Sequence, residues 1–339
     1  MAPEITVLMP VHNAEAYVRE SATSILGQTF RDLELLVVDD ASTDATVRIL
    51  EGLGDPRVRV IRSRERLRFS GALNAGLDAA AGTFLARMDG DDIALPDRLA
   101  VQREFLLAHP EVGLCGARAT VFGMGRGQFT RPPLTHGEII SHMIFDNPIV
   151  HPTVMFRRES VERHQLRYDP AFCPADDYEL WSRAARLFPV VNLDRVVLRY
   201  RVHAASLTQA QWGDMDKHAA RVASRELAAL GLPVDDETLH FHRNLGRGRC
   251  FPILRRHDLE RAESWLAALL AANDRAGRFP ALEFRRSVAA VWYGACYHAG
   301  ALGGWMVARY ARSDLRRATP ASAKEWGALL KVAALHASA

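Results

Sequence analysis

Short apolar runs rich in β-branched residues alternate with helical stretches along the first two-thirds of the chain. Leu33–Val38 is almost continuously apolar, as expected of a strand that helices cover on both faces. The alternation predicts an α/β fold with a mostly parallel sheet, in which ligands bind beyond the carboxyl ends of the strands. The predicted strands are Ile5–Met9, Leu33–Val38, Val58–Ile61, Thr83–Met88, Leu114–Phe122 and Val196–Val202.

Helices are predicted between these strands from capping residues and apolar spacing. Asn13 is expected to cap the first helix, and Pro96 is expected at the first position of the helix that ends near His109. The other predicted helices follow Ser42 and Thr43 as far as Leu53, or span Ser70–Ala80 and Tyr178–Leu187.

From about residue 206 the pattern changes to Ala, Leu and Arg at helical spacing. We therefore predict a first domain of residues 1–206 and a mainly helical second domain of residues 207–339. Val288–Ala308 has no Asp, Glu, Lys or Arg over 21 residues, which is long enough for a membrane span. Its glycines at 300, 303 and 304 favour two buried helices with a break between them.

Charge changes the interpretation of the second domain. The net charge of the 339 residues is +3, which is too weak to indicate a nucleic-acid partner. Residues 1–205 carry −3 and residues 206–339 carry +6, so the second domain is expected to contact the acceptor, a second copy of the chain or an anionic membrane surface.

Cysteine spacing and the N-terminal sequence indicate the cellular compartment of the protein. Cys115, Cys173, Cys250 and Cys296 are far apart and include no C-x-x-C pair, which predicts reduced thiols rather than a zinc site or disulfides. The first residues lack the basic segment of a signal peptide, so we expect a cytoplasmic protein that can reach the inner face of the membrane.

The strongest chemical signal is Arg87-Met-Asp89-Gly-Asp91-Asp92, at the end of a predicted strand. Carboxylates two residues apart can converge on one point, and Gly90 allows a tight turn between them. Such a group repels itself unless a cation neutralises it, and oxygen ligands suit Mg²⁺ or Mn²⁺. A solvated acidic turn is the simpler alternative, but the position after a strand favours a site for a metal and a diphosphate.

A second acidic group, Asp39-Asp40, follows the strand Leu33–Val38. Carboxylates at a strand-to-helix junction can accept hydrogen bonds from a base or a ribose. Asp39 is expected to face the crevice, whereas Asp44 is expected to favour the helix start.

Together these motifs resemble the family 2 glycosyltransferases of GT-A fold. The resemblance covers about residues 4–207, and its motifs occur in the expected order. They are Pro10-Val-His-Asn13, Val38-Asp39-Asp40-Ala-Ser42, Ala72-Leu-Asn74-Ala-Gly76, Ala86–Asp92, His151–Phe156, Asp176-Asp177-Tyr-Glu-Leu-Trp181 and Tyr200-Arg-Val-His203.

The resemblance implies transfer of a sugar, with inversion, from a nucleotide sugar to an acceptor hydroxyl. The donor is most often a UDP-sugar, and the acceptor is a glycan, a lipid-linked molecule or a small molecule. Metal ligands are implied at Asp91, Asp89 and His203, for Mn²⁺ or Mg²⁺. Contacts with the nucleotide sugar are implied for Pro10, Val11, Asn13, Asp39, Arg68, Asn74, Arg87, Asp89, Gly90 and Asp92.

The resemblance also implies a catalytic base at Asp177, beside Asp176 where the family usually has Glu. Adjacent residues of a helix face different directions, so only one of the two is expected to enter the pocket. Two other functions stay open from the sequence: a nucleotide-sugar-binding module without turnover, and a phosphatase that uses a strand-end Asp-x-Asp. The setting implied by the resemblance is cell-surface polysaccharide assembly.

Overall fold

A computed structural model describes residues 2–124, 130–203, 212–247, 253 and 255–335. The chain divides into two compact units, one of residues 1–139 and 148–219 and one of residues 140–147 and 220–339. The domain boundary predicted between residues 206 and 207 lies outside the described residues. The sequence pattern did not indicate that residues 140–147 group with the second unit.

Eight strands form the sheet of the first unit, in the order β3-β2-β1-β4-β7-β6-β8-β5. The first four in this order pair in parallel, whereas β7 is antiparallel to β4 and β6, and β5 is antiparallel to β8. The strands are β1 (Ile5–Val11), β2 (Leu33–Asp39), β3 (Val58–Arg62), β4 (Phe84–Arg87), β5 (Ile93–Ala94), β6 (Leu114–Gly123), β7 (Met155–Arg157) and β8 (Val190–Val202).

Helices surround this sheet and make up nearly all of the described second unit. The first seven are α1 (Val18–Leu26), α2 (Thr46–Glu51), α3 (Arg68–Ala79), α4 (Arg98–Ala108), α5 (His136–His142), α6 (Arg158–Arg163) and α7 (Asp176–Ala184). The remaining six are α8 (Trp212–Ala229), α9 (Asp236–Arg247), α10 (Arg256–Ala276), α11 (Ala281–His298), α12 (Gly304–Arg312) and α13 (Ala323–Leu335).

Strand β1 lies inside the sheet, and all seven of its residues are buried. It pairs in parallel with β2 and with β4, and its last residue, Val11, lies beside Asp39. The carboxyl ends of these three strands therefore meet at one edge. The two acidic motifs follow β2 and β4, so both motifs lie at this edge.

The predicted cap of the first helix is wrong. Asn13 adopts a left-handed conformation with φ of 49°, and helix α1 begins only at Val18. The Asn13 side chain instead accepts a hydrogen bond from the Thr43 amide at 2.9 Å. A short amide side chain tolerates this backbone conformation and can bond to a neighbouring loop, which overrides its capping preference.

The apolar segment Val288–Ala308 forms parts of two helices, α11 and α12, as predicted. A short 3₁₀ turn at Gly300–Leu302 separates them, and Gly303 takes φ of 58°. Trp292 and Met306 are fully buried within the second unit. Among the helices of the described residues, none has both the length and the apolar content that crossing a bilayer requires.

Candidate active site

A cleft of about 1300 Å³ opens at the carboxyl ends of β1, β2 and β4. The predicted site residues that line it are Pro10, Val11, Asn13, Arg68, Asp89, Gly90, Asp91 and His203. The other predicted site residues, which are not among its lining side chains, are Asp39, Asn74, Arg87, Asp92, Asp176 and Asp177. The structure therefore gathers the first group around one cleft and leaves the second group outside its lining.

Three carboxylates cluster where β4 ends. Asp89, Asp91 and Asp92 each offer an oxygen atom within 4.8 Å of the others. Burial raises the pKa of Asp92 well above its ordinary value, and the charges of Asp89 and Asp91 raise it further. Burial also raises the pKa of Asp89, although the guanidinium of Arg87 opposes this shift. A cation at this position would offset the repulsion among the three carboxylates.

The orientation of Asp92 supports such a role. Its Oδ1 accepts a hydrogen bond from the Arg201 amide at 2.7 Å. Its Oδ2 is buried and has no hydrogen-bond partner among the described residues. A buried carboxylate oxygen without a partner is costly, so the donor set fits a divalent cation with oxygen ligands.

His203 lies beside this cluster, at the end of β8. Its Nε2 is 2.8 Å from Asp91 Oδ2, and its ring is 4.8 Å from the ring of Tyr17. Both His203 and Asp91 are partly exposed to the cleft, at 20% and 29% of their side-chain surface. An imidazole nitrogen is a suitable additional ligand for Mn²⁺.

Asp39 and Asp40 differ in their surroundings although both are buried. Asp40 accepts a hydrogen bond from the Leu67 amide at 2.5 Å and forms an ion pair with Arg66 Nε at 3.1 Å, so it holds the start of α3. Asp39 Oδ2 accepts only a long bond of 3.4 Å from Ser42, and its Oδ1 has no partner among the described residues. Asp39 is therefore the carboxylate with capacity left for a ligand.

Two predicted contact residues have their side chains engaged within the protein. Asn74 donates to the carbonyl of Tyr168 and accepts from its amide, each at 2.8 Å. Arg87 is only 3% exposed and donates from Nη1 to Asp89. The donor contacts predicted for Asn74 and Arg87 stay predictions, since these internal contacts do not test them. Tyr168 lies 94 residues from Asn74, a separation that motif spacing does not encode, whereas Asp89 lies only two residues from Arg87 in the same motif.

The two acidic residues at the start of α7, Asp176 and Asp177, differ in how far they are buried. Asp176 is 1% exposed, and its Oδ2 accepts a hydrogen bond of 2.5 Å from the hydroxyl of Ser70, which lines the cleft. Burial raises the pKa of Asp176. Asp177 is less buried, and its Oδ1 accepts from the Tyr178 amide at 2.6 Å.

Several residues that line the cleft were missed by sequence reasoning. His12 and Tyr17 come from the loop after β1, Phe69 comes from α3, and Cys173 and His218 contact each other through the Cys173 carbonyl at 2.7 Å. His12 stood inside a recognised motif and could have been found. The other four follow no spacing rule that points to a shared pocket.

Comparison with known proteins identifies the family. Residues 6–165 match the profile described as Glycosyl transferase family 2. A Haemophilus influenzae protein described as an uncharacterized glycosyltransferase is 31% identical over 241 residues, covering 66% of this chain and 73% of its own length. This chain belongs to glycosyl transferase family 2. It is therefore a glycosyltransferase, and the phosphatase alternative is wrong.

Another relative of this family 2 enzyme is the Escherichia coli O-antigen biosynthesis glycosyltransferase WbnJ. The two are 32% identical over 212 residues, which is 60% of this chain and 81% of WbnJ.

Two solved structures share the fold of this glycosyltransferase. S. aureus TarS in complex with UDP-GlcNAc aligns with a TM-score of 0.58 and 18% identity, over 93% of this chain and 89% of the TarS chain. The mannosyltransferase PcManGT from Pyrobaculum calidifontis, in complex with GDP-Man and Mn²⁺, aligns with a TM-score of 0.55 and 22% identity, over 99% and 87%. The predicted GT-A fold with a helical C-terminal region is confirmed.

Proposed function

We propose that this glycosyltransferase is metal-dependent and inverting, and that it moves a sugar from a UDP-sugar to an acceptor hydroxyl. The carboxylates of Asp89, Asp91 and Asp92, within 4.8 Å of one another at the mouth of the cleft, carry the proposal. Asp91 is the principal metal ligand, with Asp89 and His203 beside it. Bound Mn²⁺ or Mg²⁺ would act as a Lewis acid toward the negative charge that develops on the diphosphate.

The nucleoside is held at the ends of β1 and β2. Asp39 Oδ1 is a buried acceptor without a partner among the described residues, which suits an N–H donor of a base. Pro10, Val11 and Asn13 supply the wall beside it, and Arg68 lies across the cleft at the start of α3. A uracil ring satisfies Asp39, and a guanine ring is the competing base because PcManGT binds GDP-Man.

Asp177 is the catalytic base in this proposal. An acceptor hydroxyl becomes a good nucleophile when a carboxylate removes its proton, and a single displacement by that oxygen inverts the sugar carbon. Asp177 is the more accessible member of the acidic pair, whereas Asp176 is held by Ser70. Asp176 therefore braces the start of α7 against α3.

The setting that we propose is cell-surface polysaccharide assembly, at the cytoplasmic face of the membrane. The relative WbnJ, named for O-antigen biosynthesis, supports this setting. The acceptor is then a glycan or a lipid-linked glycan. Contact of the basic second domain with a membrane surface or a second copy of the chain stays a prediction from its charge.

Binding and turnover can be tested together. We expect UDP to raise the melting temperature in the presence of Mn²⁺ more than GDP does, because a ligand of the folded state stabilises it. We also expect release of UDP from at least one member of a UDP-sugar panel. Binding without any release would instead favour a nucleotide-sugar-binding module.

Substitution of Asp91 tests its proposed role as a metal ligand. Asp91→Ala should abolish the Mn²⁺-dependent part of UDP binding measured by calorimetry, since it removes the most exposed carboxylate of the cluster. Asp194→Ala is a matched control, because Asp194 is a 60% exposed carboxylate that pairs with Arg118 at 2.8 Å. Metal dependence that survives in Asp91→Ala would remove Asp91 from this role.

A further inference from the structure

We infer that Arg201 is a positioning residue that holds the carboxylate loop and His203 in the geometry needed to bind the metal. This inference rests on the proposed metal site. Neither the motif pattern nor the family assignment gives Arg201 a role, and it does not line the cleft. Its contacts nevertheless converge on the cluster.

Arg201 reaches the carboxylate loop twice, across more than a hundred residues of sequence. Its amide donates to Asp92 Oδ1 at 2.7 Å, and its side-chain Nε donates to the carbonyl of Asp91 at 2.7 Å. The first bond orients one proposed neighbour of the metal, and the second fixes the backbone of the principal ligand. Any residue except proline could make the first bond, but the second requires the side chain.

The guanidinium is itself fixed on three sides. It lies 4.6 Å from the ring centroid of Tyr17 and 4.5 Å from that of Phe122, and Nη2 pairs with Glu20. Its side chain is only 15% exposed, whereas Glu20 is 56% exposed, so the two ring contacts are better shielded from solvent than the ion pair. A planar, delocalised cation can stack on aromatic faces while donating in its plane, and the ammonium of lysine cannot do both.

Tyr17 extends the arrangement to the histidine. Its ring lies 4.8 Å from the ring of His203, whose Nε2 is 2.8 Å from Asp91 Oδ2. Arg201 and Tyr17 together therefore locate Asp91 through its backbone and His203 through its ring. Groups that orient metal ligands in this way commonly alter metal affinity by about 10- to 100-fold when they are removed.

The strand offers a matched control two residues away. Arg199 also lies over Phe122, at 4.4 Å from the ring centroid, and it is exposed. No described contact joins Arg199 to Asp91 or Asp92. Replacing Arg199 with Met thus removes a comparable cation and its ring contact while leaving the carboxylate loop untouched.

The experiment measures Mn²⁺ affinity by electron paramagnetic resonance, with and without UDP, and thermal unfolding of each variant in the absence of metal. We expect Arg201→Met to weaken Mn²⁺ binding about 10-fold or more, Arg201→Lys to fall between it and the unmodified protein, and Arg199→Met to bind normally. Tyr17→Leu, which removes the ring between Arg201 and His203, should also weaken binding. It serves as the second test if Arg201→Met does not fold.

The possible results separate the inference from the proposed function. Normal Mn²⁺ binding by folded Arg201→Met or Tyr17→Leu would overturn the positioning role alone. If Arg199→Met weakened Mn²⁺ binding as much as Arg201→Met, the positioning role would also be overturned. The weakening would then be explained by a general loss of positive charge or packing. A lack of Mn²⁺ binding by the unmodified protein, even with UDP, would overturn the proposed metal site and this inference with it.

Discussion

At the residue scale, the site depends on how burial divides adjacent acidic side chains into different roles. Asp39 has an oxygen without a partner, whereas its neighbour Asp40 holds Leu67 and Arg66. Asp176 is bonded to Ser70, and its neighbour Asp177 is more accessible. We therefore propose that each adjacent pair divides into one carboxylate that organises the protein, Asp40 or Asp176, and one that contacts a ligand, Asp39 or Asp177.

This division predicts opposite results at Asp176 and Asp177. Asp177→Asn should lower the rate of UDP release from a UDP-sugar by about 10²- to 10⁴-fold, while UDP affinity stays unchanged, because only the proton acceptor is lost. Asp176→Asn keeps an oxygen that can accept from Ser70, so it should retain most of the activity. An active Asp177→Asn together with an inactive Asp176→Asn would reverse the two roles.

Sequence patterns predicted the part of the site that lies close together along the chain. Asp89, Asp91 and Asp92 follow one strand within four residues, so their convergence is a local property. Asn74 pairs with Tyr168 across 94 residues, and Arg201 reaches Asp91 across 110 residues. Those contacts depend on the tertiary arrangement, which local spacing does not contain.

At the element scale, the apolar run of β2 was predicted well, but the first six residues of β8 and the two shortest strands were missed. The run Leu33–Val38 became β2, one residue longer than predicted. Strands β5 and β7 have only two and three residues, too few to show an alternation of apolar and polar positions. They are strands because neighbours pair with them: β7 lies between β4 and β6, and β5 lies against β8.

Two glycines within helices predict opposite effects of the same substitution. In α3, a Cβ at Gly76 would lie 2.0 Å from Leu8 Cδ1, so Gly76→Ala should lower the free energy of unfolding by about 1–3 kcal/mol through overpacking of α3 on β1. In α11, a Cβ at Gly294 would meet nothing within 4 Å. Gly294→Ala should therefore raise the free energy of unfolding by roughly 0.5–1 kcal/mol, because alanine favours a helix more than glycine does.

Denaturant unfolding of the two alanine variants measures these effects directly. A destabilised Gly294→Ala would mean that α11 has a neighbour at this position in solution. An unchanged Gly76→Ala would mean that the Leu8 side chain or α3 shifts to make room without cost.

At the scale of the whole molecule, a buried histidine, His242, and two partly buried ones, His142 and His151, make the free energy of unfolding depend on pH. Burial lowers the pKa of His142 and His242 in the second unit and of His151 in the first. Each histidine is therefore neutral when folded and takes up a proton more readily when unfolded. Asp92 and Asp176 act in the opposite direction, because burial raises their pKa and the folded state binds the proton.

His242 has the best-defined contribution. Burial lowers its pKa to about 4, and both ring nitrogens are occupied: Nε2 donates to the Ile144 carbonyl at 2.7 Å, and Nδ1 accepts from Trp265 at 3.0 Å. Its stabilising effect should be complete above pH 6.5, the ordinary value, and should be lost as the pH falls toward 4. The expected loss is about 3 kcal/mol.

Denaturant unfolding of the unmodified protein and of His242→Gln between pH 4 and 7.5 separates the contribution of His242 to stability from that of the other titrating groups. The difference in stability should be largest near neutral pH and should shrink on acidification. A difference that is constant with pH would show that folding does not lower the pKa of His242.

Hydrogen bonds join the loop after β1 to the loop after β2, and they affect how the cleft binds a ligand. Beyond the Asn13–Thr43 bond, Ala14 donates to Thr46 at 2.7 Å and Glu15 donates to Asp44 at 3.0 Å. This wall of the cleft is therefore already ordered in the free enzyme, and its conformational entropy is lost during folding rather than at binding. If the nucleoside binds at this wall, as we propose, its association needs no slow rearrangement there.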